Sequence, residues 1–201
     1  MIKAICFDLD GVYFTKGSFI RFKEAIGISS TVEKTDFVFH KSTQIFDYKK
    51  GVMSENEFWD YVRLELDITY TNGEIFKMLR DSYTVDEKVV DVVKQIKKLG
   101  YKTCLCSNNF EARIKELNAK FDFLEDFDVQ IFSYDVGATK PDKKIFEELV
   151  KSSGVKPNEI LYSDDSPEKL EGAKELGINV FVYQSFDQFL ETLKSFGVNL
   201  I

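Results

Sequence analysis

Cysteine, proline and histidine are scarce in this chain of 201 residues, with 3, 3 and 1 copies. Three cysteines do not make a disulfide framework. Cys6, Cys104 and Cys106 lie in strand-like apolar runs, where thiols pack as core side chains. Cys104 and Cys106 would share a strand face, but without a third or fourth ligand they make a poor zinc site. The lone histidine, His40, falls far from any strand end, so no Ser-His-Asp arrangement has its base there; a structural or surface role is expected. No apolar run approaches the roughly 20 residues that span a bilayer. The start, Met1-Ile2-Lys3-Ala4-Ile5, lacks the layout of a signal peptide, so a cytoplasmic protein without a membrane partner is expected. Positive charge is also in deficit, with 27 Lys and Arg against 34 Asp and Glu and a net charge of −7, which disfavours nucleic acid as a partner.

What is present is the material of a folded core, with 44% hydrophobic residues. Residues 2–9 form a short apolar run ending in acids and Gly11, as a buried strand delivering its C-terminal end to a polar loop would. From about 18 to 82 apolar residues recur at helical spacing, and Ser54 followed by Glu57 reads as a capping box, so three or four helices and no sheet are expected. After Asp86 helices and strands alternate. The helix through Val89, Val90, Val93 and Ile96 stops at Gly100; strands are expected at 101–107, 129–133, 159–163 and 179–183, and helices at 111–120, 142–152, 167–176 and 186–196. This alternation predicts an α/β fold, a Rossmann-like parallel sheet covered on both faces. The first strand must join that sheet, which makes residues 1–14 and 86–201 one core domain and residues 15–85 an inserted helical domain.

Ligands of such sheets bind beyond the carboxyl ends of the strands. Those ends offer Asp8 and Asp10, then Ser107 and Asn108, then Lys140, then Asp164 and Asp165. Carboxylates crowded at one edge need a cation, and all-oxygen ligands suit a hard divalent ion such as Mg²⁺. The ion with Lys140 would make an anion site in an acidic protein, completed by the Ser107 hydroxyl and the Asn108 backbone N–H. Within Asp8-x-Asp10, one carboxylate can attack phosphorus while the other handles the proton.

These residues resemble the haloacid dehalogenase-like (HAD) phosphohydrolase superfamily. The resemblance rests on Phe7-Asp8-Leu9-Asp10-Gly11-Val12, Leu105-Cys106-Ser107-Asn108, Lys140-Pro141-Asp142 and Tyr162-Ser163-Asp164-Asp165, in order and after successive strands. It implies Asp8 as nucleophile, Asp10 as acid/base, and Mg²⁺ held by the Asp8 carboxylate, the Asp10 backbone carbonyl and Asp164. Asp165 would be a further ligand or a partner of the metal's waters. The insertion looks like the family's helical cap. The segments 135–142 and 163–177 are similar to those of sugar-phosphate phosphatases and of the phosphatase domain of soluble epoxide hydrolases. The implied function is Mg²⁺-dependent hydrolysis of a small phosphorylated metabolite. A phosphotransferase such as a hexose-phosphate mutase, and a non-catalytic receiver-like module, are the alternatives; metal-free dehalogenation is disfavoured because Asp10 and Asp164 are both present.

Taken singly each signature has a plainer reading. Asp8-x-Asp10 can be a turn, Asp164-Asp165 and Ser107 helix caps, and Lys140 a surface charge. Tyr13, Phe14 and Phe46 are candidates to line the substrate pocket, and Gly17 and Gly51 to serve as hinge and loop residues. Oligomeric state, monomer or homodimer, is left open.

Overall fold

Alternation decides the first strand. In β1 (Ala4–Phe7) Ile5 and Phe7 face one side and Ala4 and Cys6 the other, and all four are buried. The structure, a computed structural model, describes residues 1–27 and 30–200. After β1 come α1 (Ser18–Ile26), α2 (Val32–Asp36), a π-helical turn (Phe37–Lys41), α3 (Thr43–Lys49), α4 (Glu55–Leu66) and α5 (Asn72–Ser82). There follow α6 (Glu87–Lys98), β2 (Lys102–Ser107), α7 (Glu111–Phe121), β3 (Val129–Phe132), the single turn α8 (Ser133–Val136), α9 (Lys143–Ser153), β4 (Ile160–Asp164), α10 (Glu171–Glu175), β5 (Asn179–Val182) and α11 (Phe186–Ser195).

The five strands form one parallel sheet in the order β3-β2-β1-β4-β5. α6, α7 and α11 cover the Ile5 and Phe7 face, and α9 and α10 cover the Ala4 and Cys6 face. This is the α/β architecture expected from the alternation of strand and helix. Phe7 lies opposite Leu105 and Ser163, so Asp8 leaves the sheet at its centre. There the chain order reverses between β1 and β4, which is where crevices open in such sheets. All three cysteines are buried free thiols, and burial pushes Cys104 and Cys106 up to about 12, so they stay protonated.

The segment between β1 and α6 has no strand among its described residues, but it holds five α-helices where three or four were expected. Hydroxyl caps cut it more finely than its apolar spacing suggests: Thr31, Ser42, Ser54 and Thr71 each accept a backbone N–H. Ser54 and Thr71 both complete capping boxes, with Glu57 and Glu74. The stretch 167–176 is a 3-10 turn followed by the short α10, not one helix. Gly172 there meets the backbone of Pro141 so closely that an added Cβ would stand 2.0 Å from its carbonyl oxygen.

The helical segment enters and leaves the core side by side. Phe14 and Val85 form an antiparallel bridge, Thr15 N–H donates to the Thr84 carbonyl at 2.9 Å and Asp86 N–H to the Tyr13 carbonyl at 3.0 Å. Its buried aromatic cluster runs without a break into the core: Tyr48 stacks on Phe58 at 4.5 Å and on Phe110, just before α7, at 4.8 Å. No helix among the described residues is long and apolar enough to cross a membrane.

Because Phe58 is fully buried within that shared cluster, Phe58→Ala is expected to cost about 3–5 kcal/mol. At this chain length that lowers Tm by roughly 10 °C. Thermal melts followed by far-UV and near-UV circular dichroism should show one coincident transition; two separate transitions would mean that the helical segment melts on its own.

Candidate functional site

Lys140 is the centre of the polar edge. It is 4% exposed, and its Nζ lies 2.9 Å from Asp8 Oδ1 and 2.5 Å from Asp164 Oδ2. It also donates to the Cys106 carbonyl at 3.0 Å and to the Tyr162 hydroxyl at 2.8 Å, and that hydroxyl donates to Asp164 Oδ2 at 2.7 Å. Burial works against the ammonium, but Asp164 and Asp8 outweigh it and raise the pKa of Lys140, so it stays charged. Against the cost of burial, Lys140 and then Lys169 hold the Asp164 carboxyl low, whereas burial and then Asp164 push Asp8 up. The Asn108 side chain fixes the lysine's backbone, accepting from Lys140 N–H at 2.7 Å and donating to its carbonyl at 3.1 Å.

Asp10 stands apart from this group. Its Oδ1 accepts from the fully buried guanidinium of Arg113 and lies 3.5 Å from the Tyr83 hydroxyl. The guanidinium is packed 4.7 Å over the Tyr83 ring and 5.0 Å over Phe19. Gly11, between Asp10 and the turn, has φ +76°, and an added Cβ would stand 2.4 Å from Asp165 Oδ2. The backbone conformation favours glycine there, and a Cβ would also displace the Asp165 carboxylate.

Carboxylate oxygens of Asp8, Asp164 and Asp165 all lie within 4.8 Å of one another. Oxygen donors alone, converging at the strand ends, fit Mg²⁺. A second ammonium, that of Lys169, lies 3.9 Å from Asp8, 3.7 Å from Asp164 and 4.0 Å from Asp165.

Above these residues a cavity of about 710 Å³ has Asp10, Asn108, Lys140, Asp165 and Lys169 on its core side and side chains of the helical segment opposite. Phe46 lines it as expected, and His40 reaches its edge, 5.5 Å from the Phe19 ring. Tyr13 and Phe14 do not line it, contrary to expectation. The turn at Gly11, closed by Phe14 N–H donating to the Leu9 carbonyl at 2.8 Å, sends both rings down among Phe121, Phe123 and Phe127, where Tyr13 donates to Asp126 at 2.7 Å. Ser107 sits buried behind the lining, its hydroxyl 3.4 Å from Asn109 Nδ2.

Sequence reasoning missed Arg113, Tyr162 and Lys169. Tyr162 carried a signal, two residues before Asp164 and therefore on the same strand face. Lys169 is four residues beyond Asp165, one helical turn away. Arg113 carried none, since a single arginine in an amphipathic helix reads as a solvated charge.

A family model for haloacid dehalogenase-like hydrolases matches residues 2–177. An uncharacterized protein of Dictyostelium discoideum is 30% identical, with 90% of this chain and 91% of that protein covered. A D-ribitol-5-phosphate phosphatase of Bacteroides thetaiotaomicron is 27% identical over 90% and 91% of the two chains. Mouse bifunctional epoxide hydrolase 2 is 24% identical over 98% of this chain, which spans 39% of that longer protein. The fold is shared with a HAD family enzyme of B. thetaiotaomicron solved with magnesium and inorganic phosphate, at TM-score 0.76 and 22% identity over 94% and 99% of the chains.

The position of Lys169 sets an expectation for metal affinity. Lys169→Met removes a positive charge from beside the three carboxylates, so calorimetry should find Mg²⁺ bound about tenfold more tightly, the effect of ~1.4 kcal/mol of relieved repulsion. The same variant without metal should melt lower than the wild type, because its clustered carboxylates lose a counter-charge. An unchanged Kd and Tm would mean that Lys169 stands clear of the ion's site.

Proposed function

The chain belongs to the haloacid dehalogenase-like hydrolase family, and from that premise we propose that it is a Mg²⁺-dependent phosphatase acting on a small phosphorylated metabolite, a sugar phosphate or similar, through an aspartyl-phosphate on Asp8. The observation that carries this reading is the buried Lys140 ammonium bridging Asp8 and Asp164 at the centre of the sheet edge, beside a carboxylate cluster suited to Mg²⁺. The D-ribitol-5-phosphate phosphatase of B. thetaiotaomicron among its relatives supports a small phosphorylated metabolite as the substrate.

With Oδ1 of Asp8 held by Lys140, the carboxylate is oriented for attack by its other oxygen. That oxygen forms a bond to phosphorus as the bond from phosphorus to the ester oxygen breaks, and Asp10 gives its proton to the departing alkoxide. Water then attacks the phosphorus, Asp10 takes its proton, and the bond to Asp8 breaks to release phosphate. Arg113 holds Asp10 in place for both transfers. Lys140 and the Asn108 backbone N–H, with the buried Ser107 hydroxyl just behind them, would meet the phosphoryl oxygens, whose charge dominates this class of transition state. Mg²⁺, held by Asp8, Asp164, Asp165 and the Asp10 backbone carbonyl, would supply charge neutralisation between the phosphate and the attacking carboxylate. Residues 15–85 act as a cap over the core of residues 1–14 and 86–201, walling the cavity from water.

Hydrolysis of p-nitrophenyl phosphate with Mg²⁺ or with chelator tests the chemistry. Wild type should turn over only with Mg²⁺, Asp8→Asn should fall to background, and Asp10→Asn should lose about 10²–10⁴-fold. Full Mg²⁺-dependent turnover by Asp8→Asn would falsify the nucleophile assignment. Isomerisation of an added hexose 1-phosphate without phosphate release would redirect the reading to a phosphotransferase.

A further inference from the structure

The two sides of the cavity differ in charge. Asp10, Asp165 and Glu168 all belong to the core side, whereas residues 15–85 contribute Lys16, Lys23, His40 and Lys49 to the lining and no carboxylate among the described residues. In a protein of net charge −7 a wall with cationic groups and no acids is a local reversal. Most basic groups around the cavity already have a partner: Lys140 and Lys169 stand among the acids of the strand ends, Arg113 holds Asp10, and Lys23 is paired with Asp36.

Lys49 has no hydrogen bond or ion pair among the described residues, although it lines the cavity within the field of Arg113 and Asp10. Burial and then the Arg113 charge push its pKa down to about 8, against Asp10 and Asp8, so the ammonium has no counter-charge in contact with it. Enclosure at the wall, then Lys23 and Lys49, hold His40 below its ordinary value, leaving a neutral imidazole beside this ammonium. The backbone carrying Lys49 is fixed. Tyr48 stacks on Phe58 and Phe110, and Gly51, at φ +67°, comes so close to the core that an added Cβ would stand 2.6 Å from the Tyr134 carbonyl oxygen. The reacting phosphate has Lys140 and the Mg²⁺ site on the other side, which leaves Lys49 for a different anion.

We propose that Lys49 anchors a second anionic group of the substrate, a carboxylate or a further phosphate, so that among small phosphorylated metabolites this chain, in contrast to its D-ribitol-5-phosphate phosphatase relative, prefers those that carry a second negative charge. The inference rests on the phosphatase reading and narrows it. Lys49 is the specificity-determining residue, and His40 is placed to add a neutral N–H donor.

The test compares kcat/KM for glycerol 3-phosphate, 3-phosphoglycerate and glycerol 1,3-bisphosphate, in which a hydroxymethyl group, a carboxylate or a second phosphate stands at the far end. Wild type should favour one or both of the anionic compounds over glycerol 3-phosphate by about 10- to 100-fold, the worth of one charge-assisted contact, and which one shows the source of the second charge. Lys49→Met should collapse that ratio, mainly through KM, and Lys49→Arg should restore most of it. Equal loss on all three compounds would assign Lys49 to the reacting phosphate and overturn the proposal, as would a preference that survives Lys49→Met or is absent from wild type. Calorimetric binding of the same compounds to the Asp8→Asn protein with Mg²⁺, with and without Lys49→Met, reads the anion preference without turnover. Failure of p-nitrophenyl phosphate hydrolysis in wild type would remove the phosphatase reading alone, and the binding ratios would still decide the role of Lys49.

Discussion

A buried ammonium between two buried carboxylates is the constraint from which the active edge is built. Lys140 is one charge serving Asp8 and Asp164 together, and it offsets part of the cost of burying both acids. Everything nearby maintains the arrangement. The Cys106 carbonyl and the Tyr162 hydroxyl complete the lysine's coordination, and Asn108 brackets its backbone from the end of the neighbouring strand. Three strands therefore meet at one side chain, and the parallel register that aligns Phe7 with Leu105 and Ser163 is what makes the meeting possible.

The second acid, Asp10, is governed by different forces. It sits two residues beyond Asp8, past the end of the strand, and takes its orientation from Arg113, itself wedged between Tyr83 and Phe19. Tyr83 and Phe19 lie in the helical segment and Arg113 in the core. The geometry of Asp10 thus depends on contact between the two parts of the molecule, while that of Asp8 depends on the sheet and on Lys140 beside it. Such a division suits the proposed reaction, in which one carboxylate is held rigidly and the other exchanges a proton twice.

How much of this was legible in the sequence follows from how local each signal is. Asp8, Lys140, Asp164 and Asp165 could be read because each ends a strand or its following loop, and a parallel sheet sends all strand ends to one edge. Arg113 and Lys49 could not, since each projects from a helix whose rotation toward the site is set by packing and not by spacing. Tyr13 and Phe14 were misplaced for a related reason: proximity in sequence to the nucleophile loop suggested proximity in space, and one turn at Gly11 reversed their direction. The extra helices of the insertion were foreshadowed by Thr31, Ser42 and Thr71, whose capping role is as regular as that of Ser54 but was hidden beneath an apolar pattern that runs across the breaks.

The paired entry and exit of the helical segment, with Phe14 beside Val85 and Thr15 beside Thr84, has a thermodynamic meaning for the whole chain. To the sheet, residues 15–85 are equivalent to a hairpin, because their two ends are already joined by backbone hydrogen bonds. Lengthening or shortening what lies between those ends changes the cost of closing the loop only as the logarithm of its length. The register of β1 against β2 and β4 is therefore insulated from the size and sequence of the insertion. A scaffold joined in this way can have residues 15–85 rebuilt by substitution, insertion or deletion while the ammonium and its two carboxylates stay where the sheet holds them.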